Sequence, residues 1–133
     1  MGIDLINAEI GAVLAECVCP ARNKDELAQY AQASGDMNPL HLDEAFARKA
    51  GFDNLVVHGM LNMAVLGRLL TDHFESDAIL GFSTRFEGVL KVGEPTRVSM
   101  SLLERNGEYA EVALEMLTDE GRRIVSGRAK VGL

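Results

Sequence analysis

The segment from Gly59 to Phe74 limits most strongly what this chain can fold into. Its apolar residues are Met60, Leu61, Met63, Ala64, Val65, Leu66, Leu69, Leu70 and Phe74. They cover almost the whole circumference of a predicted helix, and such a helix is expected to be largely buried. Asn62 and Arg68 interrupt the apolar run, so no membrane span is predicted.

The second half of the chain is typical of antiparallel strands. Leu80, Phe82, Thr84 and Phe86 alternate with other residues as in a strand, and Asn106-Gly107 is a strong hairpin signal. Strands are predicted over 10–19, 80–86, 96–103, 109–117 and 123–131. An antiparallel sheet with segregated helices is an α+β fold. A sheet wrapped around one central buried helix is a hot-dog fold, and the length fits one domain over residues 1–133.

Two short helices are predicted to flank a loop. Asn23 and Glu26 have capping-box spacing at the start of the first helix, and Asp43 is placed to cap the second. The segment 36–41, which reads Asp-Met-Asn-Pro-Leu-His, is therefore a loop with both ends fixed by helices.

This loop contains a carboxylate and an imidazole, at Asp36 and His41. These side chains are the ones most often used for proton transfer near neutral pH. Pro39 restricts the backbone between them, and Asn38 can hydrogen-bond its own turn, so the two side chains can be aimed at one water. Such a pair suits addition of water to a carbon–carbon double bond beside a carbonyl, or its removal. By spacing alone, such residues are more often a helix-end aspartate and a surface or packing histidine.

His58-Gly59-Met60 is a second candidate site, at the first turn of the long helix. Backbone N–H groups there are unpaired, the helix dipole favours negative charge, and Gly59 lets a ligand approach closely. A carbonyl oxygen bound there would be polarised. His58 and Met60 are candidate substrate contacts. The alternative is a plain strand-to-helix turn with a buried histidine.

Charge and cysteine content exclude several function classes. The net charge of −7 argues against general nucleic-acid binding and gives no support to binding of anionic membranes. Cys17 and Cys19 are too close to favour a disulfide, and no further cysteine exists to complete a zinc site, so two small strand residues are expected. The N-terminus has no basic start and no signal-type apolar run, so a cytoplasmic protein is expected.

Residues 30–41, Tyr-Ala-Gln-Ala-Ser-Gly-Asp-Met-Asn-Pro-Leu-His, resemble the hydratase motif of the MaoC-like family. That family includes (R)-specific enoyl-CoA hydratases and 3-hydroxyacyl-thioester dehydratases. Val-His-Gly-Met at 57–60 matches the start of the family's central helix, and 82–86 with 92–94 resemble its next two strands. Asp-x-Asn-Pro-x-His with His-Gly-Met about seventeen residues later is far more specific than either part.

The resemblance implies a hot-dog domain that pairs into a dimer with a continuous sheet, as a homodimer or a heterodimer. It implies that Asp36 and His41 activate one water for syn hydration of a trans-2-enoyl thioester of CoA or acyl carrier protein, or for the reverse dehydration. Asn38 and Pro39 would support the loop, and the Gly59 N–H would hold the thioester carbonyl. No metal or other cofactor is implied.

One departure from the family and two other functions remain open. Gly67 stands where some enoyl-CoA hydratases place a serine, which leaves the acyl-chain preference undetermined. A hot-dog acyl-CoA thioesterase would also need a carboxylate and a polarised carbonyl. A non-catalytic acyl-thioester-binding subunit of a heterodimer is the third reading.

Overall fold

Five strands form one antiparallel sheet in the computed structural model, which describes residues 3–133. The strands are β1 (Val13–Cys19), β2 (Ile79–Phe86), β3 (Thr96–Arg105), β4 (Tyr109–Thr118) and β5 (Arg123–Gly132). Their order in the sheet is β1-β3-β4-β5-β2, so β1 and β2 are the two edges. Met1 and Gly2 of the expected domain lie outside the described residues.

The helices begin and end at the caps expected from the sequence. They are α1 (Lys24–Ser34), α2 (Glu44–Lys49) and α3 (Gly59–His73), with short 3-10 turns at Pro39–His41 and Ser76–Ala78. The Asn23 side chain accepts from the Glu26 N–H at 2.9 Å, and the Glu26 carboxylate accepts from the Asn23 N–H at 3.0 Å. This capping box is the predicted one. Asp43 caps α2 by accepting from the Phe46 N–H at 3.1 Å.

The core lies between α3 and the inner face of the sheet. Helix α3 contacts β2, β3, β4 and β5. Buried apolar side chains alternate along the two central strands, as period-two patterning requires; they are Val98, Met100 and Leu102 on β3, and Val112, Leu114 and Met116 on β4. The predicted α+β arrangement, an antiparallel sheet packed around a central helix, is confirmed.

Helix α3 is buried along one face rather than around its whole circumference. Asn62, Leu66, Leu69 and Leu70 are buried, whereas the side chain of Met60 is 54% exposed. The sheet of a single chain covers only one side of the helix, so the opposite side is left open despite its apolar residues.

The first strand begins later than predicted. Strand β1 begins at Val13 rather than at residue 10, because Gly11 has a φ of 91° and turns the chain before the strand. On β2, Leu80 and Phe86 are exposed. Strand β2 is an edge strand, and its register with β5 shifts between Ile79 and Gly81.

Within residues 3–133, the helices are all too short or too polar to cross a lipid bilayer.

Candidate active site

Three hydrogen bonds tie the loop at residues 36–41 to the segment that leads into α3. The Val56 N–H donates to the Leu40 carbonyl at 3.0 Å. In the other direction, His41 Nδ1 donates to the Val56 carbonyl at 2.6 Å. His58 Nε2 donates to the Asp36 carbonyl at 3.2 Å. Each candidate acid–base residue is therefore anchored directly to the start of the helix.

This segment is itself fixed to the connection that precedes β3. The Val57 N–H donates to the Leu90 carbonyl at 2.8 Å, and the Val92 N–H donates to the Leu55 carbonyl at 2.9 Å. The side chains of Leu55, Val57 and Leu90 are buried. Two backbone hydrogen bonds next to the core therefore hold the segment that carries the candidate site.

Asn38 and Pro39 shape the loop as the sequence predicted. The Asn38 side chain accepts from the Leu40 N–H at 3.0 Å, and Pro39 is the first residue of the 3-10 turn. The Asn38 N–H donates to Asp36 Oδ1 at 3.3 Å. The backbone of Asn38 thus holds one carboxylate oxygen and leaves Oδ2 for another partner.

Asp36 and His41 face each other across the loop. His41 Nε2 lies 3.7 Å from Asp36 Oδ2, and the Asp36 side chain is 50% exposed whereas that of His41 is 11% exposed. A carbonyl can only accept, so His41 Nδ1 carries the hydrogen that binds Val56, and in the neutral ring Nε2 offers a lone pair. The 3.7 Å separation is too long for a direct hydrogen bond, but one water can donate to both atoms.

His58 lies beneath His41 rather than at the surface. Its exposed fraction is 0%, its ring stacks on that of His41 with centroids 3.8 Å apart at 22°, and Tyr30 contacts it edge-on at 4.8 Å. Its Nδ1 is buried and has no hydrogen-bond partner among residues 3–133. Burial is the main cause that lowers the pKa of His58, and nearby His41 lowers it further. The expected substrate contact from His58 is therefore corrected, because its buried ring supports His41 and offers no surface.

Gly59 and Met60 open α3 directly after His58. The first-turn N–H groups of a helix have no intrahelical acceptor. A Cβ at Gly59 would lie 3.6 Å from the ring of Phe86 on β2, so this aromatic ring borders the helix start. Met60 is exposed beside it. The second candidate from the sequence is thus joined to the first through the hydrogen bond between His58 and Asp36.

Asp36, His41 and His58 have ligand-type atoms within 4.8 Å of one another. They do not fit a metal ion well, because the two imidazole planes are nearly parallel and their in-plane lone pairs run side by side rather than to one point. His41 Nδ1 and His58 Nε2 also already donate to backbone carbonyls.

Sequence reasoning missed the site contributions of Val56, Tyr30 and Phe86. Val56 acts through its carbonyl, which no side-chain pattern reveals. In the sequence, Tyr30 stands out only as the first residue of the motif at 30–41, and Phe86 only as the end of a predicted strand. The one available signal was the position of Tyr30 at the start of the quoted motif.

Comparisons with known proteins agree with this geometry. A family model described as the MaoC-like domain matches residues 7–120. The (R)-specific enoyl-CoA hydratase of Aeromonas caviae is 34% identical over 112 residues, which cover 81% of this chain and 84% of that enzyme. A mitochondrial 3-hydroxyacyl-[acyl-carrier-protein] dehydratase of Arabidopsis thaliana is 38% identical over 72 residues, or 54% of this chain, and the match spans only 43% of that protein's length.

A solved structure supports the same conclusion about the fold. The unliganded R-hydratase PhaJ1 of Pseudomonas aeruginosa superposes with a TM-score of 0.84 at 28% identity, over 98% of this chain and 84% of that one. The predicted hot-dog fold is confirmed by this similarity.

Proposed function

This chain belongs to the MaoC-like domain family, and we propose that it catalyses the reversible syn hydration of trans-2-enoyl thioesters to (R)-3-hydroxyacyl thioesters in fatty-acid metabolism. Its relatives include an (R)-specific enoyl-CoA hydratase and a 3-hydroxyacyl-[acyl-carrier-protein] dehydratase, which are hydro-lyases running one reaction in opposite directions. The single observation that carries the proposal is the 3.7 Å approach of His41 Nε2 to Asp36 Oδ2 in an exposed loop.

The pair would act on one water. The water donates one hydrogen to the Asp36 carboxylate and the other to the lone pair on His41 Nε2. These two hydrogen bonds leave a lone pair of the water oxygen directed toward the substrate. In hydration that oxygen forms a bond to C3, the C2=C3 electron pair moves toward the carbonyl, and Asp36 takes one proton. Asp36 then returns this proton to C2 on the same face, so that H and OH add syn.

The start of α3 would hold the thioester carbonyl. Negative charge gathers on the carbonyl oxygen as C3 is attacked, and the Gly59 N–H together with the positive end of the helix dipole can stabilise it. The hydrogen bond between His58 and the Asp36 carbonyl fixes this helix start relative to the acid–base loop. No step in this scheme requires a metal or another cofactor.

We further propose that one domain over residues 1–133 pairs into a homodimer through β2. Only β5 pairs with β2 among the described strands, so one edge of β2 is open, and Leu80 and Phe86 on it are 59% and 53% exposed. An exposed apolar edge strand is a natural site for a partner strand. Because Phe86 borders Gly59, a partner on this edge would also border the candidate site.

The substrate would be an acyl thioester carried by CoA or by an acyl carrier protein. The net charge of −7 disfavours an acidic carrier protein unless a local basic patch receives it. The cytoplasm remains the predicted location, although one relative is mitochondrial.

The decisive experiment is a steady-state assay over trans-2-enoyl-CoA substrates of increasing chain length. We expect loss of the enoyl absorbance without release of free thiol, and an (R)-3-hydroxyacyl product. Release of thiol would instead identify a thioesterase, and a purified dimer inactive on every chain length would indicate a non-catalytic subunit.

A further inference from the structure

His58 is the polar side chain of the site that takes no part in the proposed proton transfers. Its side chain is fully buried, and within the part of the chain that the structure describes its Nδ1 has no hydrogen-bond partner. A buried acceptor without a partner has lost its hydration with no compensating hydrogen bond, so a histidine placed only for packing would be an unfavourable choice at this position. An apolar ring would fill the same space without that penalty.

Two contacts indicate what His58 does. Its Nε2–H donates to the backbone carbonyl of Asp36 at 3.2 Å, and its ring lies 3.8 Å from the ring of His41. Phenylalanine could supply the stacking but not the donor. The ring of His58 contacts the backbone carbonyl of Asp36 and the rings of His41 and Tyr30.

His58 is the direct neighbour in the chain of the residue that would bind the substrate carbonyl. Residue 58 immediately precedes Gly59, whose N–H is the proposed carbonyl donor. The residue that binds the backbone of Asp36 is thus bonded covalently to the residue that would bind the substrate carbonyl. The His58 side chain therefore links the acid–base loop to the residue that would hold the carbonyl, beside the two hydrogen bonds that Val56 makes to the same loop.

We infer that His58 is a positioning residue, which uses its Nε2–H donor to hold Asp36, and its ring to hold His41, in register with the start of α3. It does not touch the substrate. This inference rests on the proposed function for its catalytic consequence, but the hydrogen bond itself can be tested without any activity.

The first test is made on the unmodified protein. Long-range proton–nitrogen NMR correlations distinguish the two ring nitrogens of each histidine. We expect His58 to carry its proton on Nε2 and His41 on Nδ1. A neutral His58 protonated on Nδ1 could not donate to Asp36, and that result would overturn the inference even if no variant folded.

The second test separates the donor from the ring. His58→Phe keeps a flat ring and removes the donor, whereas His58→Gln restores an N–H donor near the place of Nε2. For crotonyl-CoA hydration we expect His58→Phe to lower kcat roughly tenfold to a hundredfold, as a small misplacement of a catalytic group does, with KM nearly unchanged. His58→Gln should recover most of this loss. His73→Gln, at the exposed end of the same helix, is the matched control and should behave as wild type.

Three outcomes decide the matter. Wild-type kcat in His58→Phe would overturn the inference, and so would equal losses of kcat and melting temperature in both variants, since packing alone would explain them. If the wild-type chain hydrates no enoyl thioester, the proposed function fails, and amide exchange then tests the positioning separately. The Asn38 N–H donates to Asp36 Oδ1. Its hydrogen should exchange with solvent faster in His58→Phe than in His58→Gln, and equal exchange rates would contradict the positioning role of His58.

Discussion

His41 donates from Nδ1 to the main-chain oxygen of Val56 at 2.6 Å. This bond fixes which ring nitrogen carries hydrogen, so Nε2 presents its lone pair toward Asp36. Because the acceptor is a backbone atom, substitution of the Val56 side chain does not remove it. The orientation of the imidazole therefore depends on the path of the chain at residues 55–57 rather than on the type of residue at position 56.

Replacing either member of the pair should greatly lower the rate of catalysis without unfolding the protein. Asp36→Asn removes the proton acceptor from a half-exposed side chain, and His41→Gln removes the lone pair at Nε2. We expect each to lower kcat for crotonyl-CoA hydration by about 100-fold to 10,000-fold, the usual range for a positioned acid–base group. The fall in enoyl absorbance measures activity, and circular dichroism checks folding.

Asp72→Asn is the control for this pair of variants, because Asp72 is an exposed carboxylate on α3 that pairs with Arg68. It should retain wild-type kcat. Full activity in both Asp36→Asn and His41→Gln would refute the proposed mechanism.

Acid should destabilise the protein through His58. Its native pKa is lowered from the ordinary value of 6.5. As the pH falls below 6.5, the unfolded chain binds a proton that the buried ring resists, so the free energy of unfolding decreases. The contribution of His58 to the free energy of unfolding is fully present above that pH and is lost as the pH falls toward the lower native pKa. For one group, the free energy of unfolding changes by at most about 1.4 kcal/mol per pH unit.

Urea unfolding at several pH values on either side of 6.5 measures this effect. His58→Gln cannot take up the proton, so its free energy of unfolding should change less with pH than that of the wild type. Identical slopes in the wild type and His58→Gln would rule out His58 as the source.

Two glycines should respond in opposite directions to alanine. A Cβ at Gly88 would lie 2.6 Å from the Arg123 carbonyl oxygen, so Gly88→Ala should destabilise the fold by about 1–3 kcal/mol through forced backbone movement. At Gly67 in α3, a Cβ would meet Phe82 Cε2 at 3.4 Å, close to an ordinary contact. Gly67→Ala should stabilise by about 0.5–1 kcal/mol through helix propensity. Urea midpoints compare the two, and equal shifts would contradict the packing described.

A charge on β2 should weaken the proposed dimer. Leu80 on β2 and Val13 on β1 are both 59% exposed, on opposite edges of the sheet. Leu80→Lys should shift the mass measured by light scattering toward the monomer, because it places a charge in the pairing surface. Val13→Lys is the matched control and should remain dimeric. If Val13→Lys alone dissociates, the interface lies on the β1 edge.

Local signals predicted the helix boundaries and the loop well. Asn23 with Glu26, and Asp43 alone, act through hydrogen bonds to residues three positions away, so the sequence contains the whole interaction. Asn38 likewise hydrogen-bonds two residues along the chain, to the Leu40 N–H. Such contacts depend on spacing, which a sequence displays directly.

Contacts between distant segments could not be predicted in the same way. The stacking of His41 on His58 joins residues seventeen positions apart, and it follows only once α1, the loop and α3 have packed together. The exposure of Leu80 could not be predicted for a related reason. Alternation along a strand predicts that it has two faces, but not whether the strand lies at the centre or the edge of the sheet.

The strand order also has a consequence for how the protein is made. Strand β2 leaves the ribosome before β3 and β4, yet its only partner among the described strands is β5. At roughly 5–20 residues per second, a nascent β2 with its exposed Leu80 and Phe86 waits a few seconds for β5. During synthesis the growing chain therefore passes through an interval in which this strand is available to chaperones or to other nascent chains.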